Sequence, residues 1–200
     1  EFLGYNVNVG DINGDGIPDM VFSSIYSSSV RVVFGRTTGW SPKGSMVLST
    51  ANASRFITIT NNSSHPNFTG TTTNALGGSI AVGDLNGDGF DDIAMGYGNA
   101  SNSWVKIFYG SANPVDTNTS AITNVITFPA TTLNTAPSIT IGNFANTTKK
   151  DLLAIIKNAS GTGNSTAYLI YGASSYSLTA EAVTTVATTV GFKINTTSPG

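Results

Sequence analysis

Apolar residues recur along this chain in runs of four to six positions, alternating or continuous, and clusters of Gly, Asn and Ser separate the runs. A period of two with such punctuation predicts short β-strands. In the first third of the chain the pattern places them near residues 5–9, 19–23, 30–34 and 55–60.

The pattern then repeats. Residues 2–24 (FLGYNVNVGDINGDGIPDMVFSS) match residues 76–98 (LGGSIAVGDLNGDGFDDIAMGYG). Residues 137–157 form an eroded third copy in which Asn143 stands where the others have Asp11 and Asp84, at spacings of 73 and 59 residues. Each copy is followed by an apolar run that closes on an aromatic–glycine pair: Phe34-Gly35, Tyr109-Gly110 and Tyr171-Gly172. A further β-branched and aromatic run follows, at residues 55–60, 124–129 and 191–196. Four strands in about 60 to 70 residues is the content of a β-propeller blade, a twisted antiparallel sheet that buries both faces against its neighbours. The expectation is an all-β chain of three four-stranded antiparallel blades, divided as residues 1–66, 67–134 and 135–200. A β-sandwich is the structural rival, but a sandwich does not require the same loop and the same aromatic–glycine ending in every block.

Seven of the nine aspartates fall within two nine-residue loops. The first offers Asp11, Asn13, Asp15, the carbonyl of Ile17 and Asp19; the second offers Asp84, Asn86, Asp88, the carbonyl of Phe90 and Asp92. Oxygens at positions 1, 3, 5, 7 and 9, with glycine at 6 for the sharp turn, make a hard-oxygen shell suited to Ca²⁺, so two ions per chain are expected. The order differs from an EF-hand, which needs a bidentate Glu at position 12 between helices. Here position 12 is Phe22 or Met95, and strands flank the loop. A plain tight turn would account for the glycines but not for the spaced aspartates. In the third copy the ligand positions hold Asn143, Ala145, Thr147 and Asp151 beside Lys149 and Lys150, so no ion is expected there. Asp151 is assigned a structural role, accepting backbone or lysine hydrogen bonds.

Composition narrows the functional classes. Thr, Ser, Asn and Gly supply 93 of 200 positions, which disfavours helix, and charged residues are only 10% of the chain against about 25% in an ordinary soluble domain. A net charge of −2 without a basic run gives no footprint for nucleic acid. No apolar run approaches the length of a membrane span. With no cysteine and His65 as the one histidine, the chain holds no His-based triad and no zinc site. The carboxylates outside the acidic loops, Glu1, Asp116, Asp151 and Glu181, share no motif, so no catalytic residue is assigned and the chain is taken as non-enzymatic. Asn-x-Ser/Thr sequons occur at Asn52, Asn61, Asn62, Asn67, Asn99, Asn118, Asn146, Asn158, Asn164 and Asn195. N-linked glycans there would solubilise a surface so poor in charge. The alternative is an unmodified coat rich in Ser, Thr and Asn.

The block from Leu76 to Asp84, followed by the acidic loop, an apolar strand and a closing Tyr-Gly, resembles the FG-GAP repeat of integrin α-subunit propellers. In the first copy Phe2-Leu3-Gly4 stands where the family often has Phe-Gly, and in the second Leu76-Gly77 does; the third lacks both that opening and the metal ligands. The resemblance implies a seven-bladed propeller with calcium loops on one face, extracellular or cell-surface placement, and a role in adhesion or ligand binding. Three blades do not close such a ring. The expected partners are therefore further FG-GAP blades or identical copies stacked head to tail as a ring or fibre, with a carbohydrate or protein ligand besides. Two other roles stand beside this one: a carbohydrate-binding lectin module, for which Trp40 is the exposed aromatic candidate, and the non-catalytic portion of a larger secreted enzyme.

Overall fold

The computed structural model describes residues 4–24, 27–38, 48, 54–61, 76–98, 103–128, 136–145, 147–156, 165–178 and 190–195. They form three sheets and no α-helix. The first sheet contains β1 (Val7–Gly10), β2 (Asp19–Ser24), β3 (Ser29–Val33) and β4 (Phe56–Thr60). The second contains β5 (Ser79–Gly83), β6 (Asp92–Gly98) and β7 (Ser103–Phe108), and the short β8 (Thr117–Asn118) precedes its outer strand β9 (Val125–Phe128). The third contains β10 (Ser138–Gly142), β11 (Asp151–Ile156) and β12 (Thr166–Ile170), with the short β13 (Ser177–Leu178) before β14 (Gly191–Asn195). Within each sheet the four main strands run antiparallel in chain order, and no sheet closes on itself.

The four-strand expectation needs one correction. Sheets one and two each carry a fifth, parallel strand lent by the following repeat: β8 pairs with β4, and β13 pairs with β9. Two-residue strands leave no periodic trace in sequence, because their stability comes from the neighbouring edge they cover. Asp116, just before β8, accepts the Thr58 amide at 2.7 Å, and the Val125 amide donates to the Tyr176 carbonyl at 3.0 Å just before β13. Each outer edge is thereby tied to the next repeat. The first strand also begins at Val7 rather than residue 5, since the Gly4 and Tyr5 amides both converge on the Ser23 carbonyl.

Two apolar layers join the sheets. Val21, Val30, Val32, Ile57 and Ile59 of the first meet Ile80, Ile93, Met95 and Phe108 of the second. Ala94, Ile107, Ile126 and Phe128 of the second meet Leu152, Ala154, Tyr168 and Ile170 of the third. Alternation puts the two apolar sets of each strand on opposite faces, which lets the middle sheet bury both. Its inner strand β5 packs against both β1 and β10. This is a propeller-type layout, with inner strands side by side and sheets stacked face to face.

One bracket recurs in all three sheets. The ninth loop residue opens the second strand, and its carboxylate is fully buried as Asp19, Asp92 and Asp151. One oxygen accepts the amide of loop position 2: Ile12 at 2.9 Å, Leu85 at 2.9 Å and Phe144 at 2.8 Å. The other accepts the amide of the aromatic–glycine pair: Gly35 at 2.8 Å, Gly110 at 3.0 Å and Gly172 at 3.0 Å. Those glycines are required by proximity, because a Cβ would strike the carbonyl oxygen of Pro18, Asp91 or Lys150. The bracket does not depend on the rest of the acidic set, since the third copy keeps it without them. Replacing Asp151 by Ala orphans the amides of Phe144, Ala145 and Gly172. The expected cost is about 2–5 kcal/mol, read as a lowered denaturation midpoint at unchanged slope, with no change in bound ion count.

Candidate metal centre

The two acidic loops match almost bond for bond. In the first, Asp11 accepts the Asp15 amide on one oxygen at 3.0 Å and the Gly16 amide on the other at 2.8 Å. Asn13 accepts the Asp15 amide at 3.1 Å, and Asp15 accepts the Ile17 amide at 2.8 Å. In the second, Asp84 accepts the Asp88 and Gly89 amides, Asn86 accepts the Asp88 amide at 2.9 Å, and Asp88 accepts the Phe90 amide at 3.0 Å. The Asn13 and Asn86 amide groups also donate to Asp15 and Asp88 at 3.0 and 2.8 Å. This winding requires left-handed backbone at positions 4 and 6, where Gly14, Gly16, Gly87 and Gly89 have φ between 72° and 91°. At Gly16 and Gly89 no atom crowds a prospective Cβ, so glycine is there for its backbone alone.

The sequence groups positions 1, 3, 5, 7 and 9 as equivalent donors, but the fold divides them. Asp11, Asn13, Asp15 and their counterparts Asp84, Asn86 and Asp88 line the outer turn. Asp19 and Asp92 lie beneath it with both oxygens already accepting amides. Among the described residues no three His, Cys, Asp or Glu side chains stand together in a metal-holding group. The donor chemistry nevertheless fits a hard cation. Every donor is oxygen, each loop has carboxylates at three donor positions, and an oxygen that accepts one amide keeps a second lone pair. Burial is the main force that pushes the Asp92 carboxyl up to about 7, and the Asp88 charge adds to it. Asp19 is raised in the same way by burial, with smaller contributions from Asp15 and Asp11. A bound cation would offset both penalties. The third loop keeps the position-1 bond, with Asn143 accepting the Thr147 amide at 3.0 Å, but it has one carboxylate, Asp151, and Ala145 and Thr147 stand at the other side-chain donor positions. That set does not fit a divalent ion.

Adjacent loops are tied directly, a feature the repeat pattern did not disclose. Asp91 accepts the Asp11 amide at 2.9 Å and donates its own amide to the Asp11 carbonyl at 2.9 Å. Lys150, at the same loop position, keeps only the backbone half, donating to the Asp84 carbonyl at 2.8 Å. The Phe90 ring covers Gly14, and the Lys149 stem covers Gly87. Loop position 8 therefore couples neighbouring loops, and its residue type gave no sign of this because the partner lies 80 residues away.

Of the sequons, Asn61 and Asn118 have described side chains, and the backbone of Asn195 lies in β14. The Asn61 amide nitrogen donates to Ser28 Oγ at 3.4 Å while its oxygen accepts the Thr119 hydroxyl at 2.8 Å. Asn118 caps a short 3-10 turn through its oxygen, which accepts the Ser120 amide at 2.9 Å. Asn52, Asn62, Asn67, Asn99, Asn146, Asn158 and Asn164 fall outside the described residues, as do Trp40 and His65. Trp104 stacks on Tyr97 at 5.1 Å against the core between the first two sheets, so it presents no free platform for a ligand.

Residues 76–121, which include the second acidic loop and the closing Tyr-Gly pair, match the FG-GAP repeat family. The chain is also similar to integrin alpha pat-2 of Caenorhabditis elegans, 35% identical over 98 residues. Integrin alpha pat-2 of Caenorhabditis briggsae is 34% identical over 98 residues. Those alignments cover 48% of this chain and 6% of each relative, so the chain spans a small part of the length of these proteins. FG-GAP repeats of integrin alpha chains commonly bind calcium. No helix among the described residues is long and apolar enough to cross a membrane. In the second sheet the acidic loop and its buried aspartate bracket thus lie within a segment similar to the FG-GAP repeat, and the same bracket recurs in the other two sheets.

Proposed function

We propose that the chain is a non-enzymatic, extracellular repeat protein of structural or adhesive role, whose three repeats (residues 1–66, 67–134 and 135–200) work beside further blades or copies of itself. Two Ca²⁺ ions stabilise it, one in each acidic loop. The observation that carries this reading is the near-identity of the two acidic loops in hydrogen bonding, set against the loss of the acidic set in the third. A bound calcium ion supplies positive charge and oxygen-seeking coordination. Asp11, Asn13, Asp15 and the Ile17 carbonyl would hold it in the first loop, with Asp84, Asn86, Asp88 and the Phe90 carbonyl in the second. Asp19 and Asp92 complete these sets from below while keeping their structural bonds. All donors of a site come from one hairpin, which favours a role in rigidity over one in chemistry. The lectin alternative depends on Trp40.

Elemental analysis should find two calcium ions per chain, and EDTA should lower the melting temperature. Asp15→Ala and Asp88→Ala should each reduce the count to one. A count of three would overturn the assignment of the third loop.

The calcium-free chain should also lose stability as pH rises. Asp92 is raised to about 7 in the fold against about 3.9 in an unfolded chain, so between these values the folded state binds the extra proton. Its contribution is fully present below about pH 4 and is lost as pH passes 7. Denaturation midpoints in EDTA at pH 5 and pH 8 should show the fall, and saturating calcium should abolish it.

If the chain is made in a glycosylating host, occupied sequons should not include Asn61, whose amide nitrogen is turned toward Ser28. Site-resolved mass spectrometry checks this, and an occupied Asn61 would contradict the contact.

A further inference from the structure

In the second acidic loop the carbonyl at position 7, Phe90, and the amide at position 8, Asp91, belong to one peptide unit. A trans peptide is planar and points its C=O and its N–H in opposite directions. The amide end donates to the Asp11 carbonyl at 2.9 Å, and the Asp91 carboxylate accepts the Asp11 amide at 2.9 Å. Asp91 thus holds both backbone groups of Asp11, the first donor of the first loop. The Ser111 amide donates to the next carbonyl, that of Ile12, at 3.0 Å, and the Phe90 ring covers Gly14. The first loop is therefore fastened to three residues of the second repeat.

The carbonyl end of the same peptide accepts no hydrogen bond among the described residues. The third loop shows that end satisfied from within: the Lys149 carbonyl, at position 7, accepts the Thr147 hydroxyl at 2.9 Å. Its position-8 amide, from Lys150, still donates to the Asp84 carbonyl at 2.8 Å. A loop without the acidic set thus closes its own carbonyl end and grips the loop before it. In the first loop position 8 is Pro18, which has no amide to give.

We propose that calcium binding at the two acidic loops is coupled through the Phe90–Asp91 peptide group, so that filling the second loop raises the affinity of the first. This rests on the calcium reading above, in which the Phe90 carbonyl and Asp92 both belong to the second donor set and flank Asp91. A cation on that carbonyl polarises the peptide and strengthens the hydrogen bond its amide donates. It also fixes the residues on either side of Asp91, so Asp11 is already ordered when the first ion arrives. Linkage is reciprocal, and filling the first loop raises the affinity of the second by the same factor. Repulsion between two bound cations acts in the opposite direction, so a factor above one does not come from their charge.

The test is calcium titration calorimetry of the 200-residue chain and of two single-site variants. Asp88→Ala leaves the first site, and Asp15→Ala leaves the second. The coupling factor is the overall constant for both ions in the unaltered chain divided by the product of the single-site constants, and about fivefold or more is expected. The same cycle is then repeated with residue 91 changed. Asp91→Asn keeps its amide and an oxygen for the Asp11 amide, so it should preserve the factor. Asp91→Pro removes both bonds at a loop position where the first repeat already carries Pro18, and the factor should fall to about one. Asp91→Ala loses the carboxylate alone, so its factor should lie between, and it carries the test should Asp91→Pro not fold. A factor of about one in the unaltered chain, one lost in Asp91→Asn, or one undiminished in Asp91→Pro and Asp91→Ala would overturn the proposal and leave the calcium reading standing. A chain that binds no calcium overturns both.

Discussion

A buried carboxylate at the root of each second strand is the constraint on which the rest of the structure depends. Asp19, Asp92 and Asp151 each satisfy amides from two segments that have no other reason to meet: the start of the loop and the turn after the third strand. An ionised group taken out of water is costly unless hydrogen bonds replace its hydration. Each carboxylate therefore specifies one arrangement of three segments. The aromatic–glycine ending follows from the same demand, since only glycine lets its amide approach past the neighbouring carbonyl.

From this bracket the acidic loop is held at a set height above the sheet. Its outer aspartates and asparagine fold onto the loop's own amides, while the ninth position stays below. The third copy separates the two tasks. It has lost the outer carboxylates and kept the inner one, so the geometry of the hairpin does not require the full acidic set. What the extra carboxylates add is concentrated negative charge, and burial raises the Asp92 carboxyl to about 7 with Asp88 reinforcing it. On the proposed reading, a bound cation would offset that cost.

The sheets cooperate because each is two-faced and the outer edges of the first two are shared with the repeat that follows. Apolar residues alternate onto both sides of the middle sheet, and β8 and β13 reach back to cover the outer edge of the preceding one. Coupling also runs along the loops, through Asp91 against Asp11 and Lys150 against Asp84. Neighbouring repeats thus support one another at inner strand, outer edge and loop, as expected where single repeats are too thin to bury a core alone.

Strands and the acidic loops were legible in the sequence because each rests on local chemistry: alternation within five residues, glycine where φ is positive, carboxylates four residues apart. The special place of Asp151 was also readable, since it survives where every other carboxylate of its loop has gone. The sequence did not show that the ninth aspartate bonds downward to a glycine 16 to 21 residues later, nor that Asp91 serves the loop of a different repeat. It did not show the strands lent across repeats, because Thr117–Asn118 and Ser177–Leu178 acquire strand geometry only from the edges they meet. Residue type and spacing thus determined the parts and their periodicity. Which oxygen meets which amide, and which edge borrows a strand from the next repeat, were decided by tertiary packing, since those contacts join positions that the local pattern treats as unrelated.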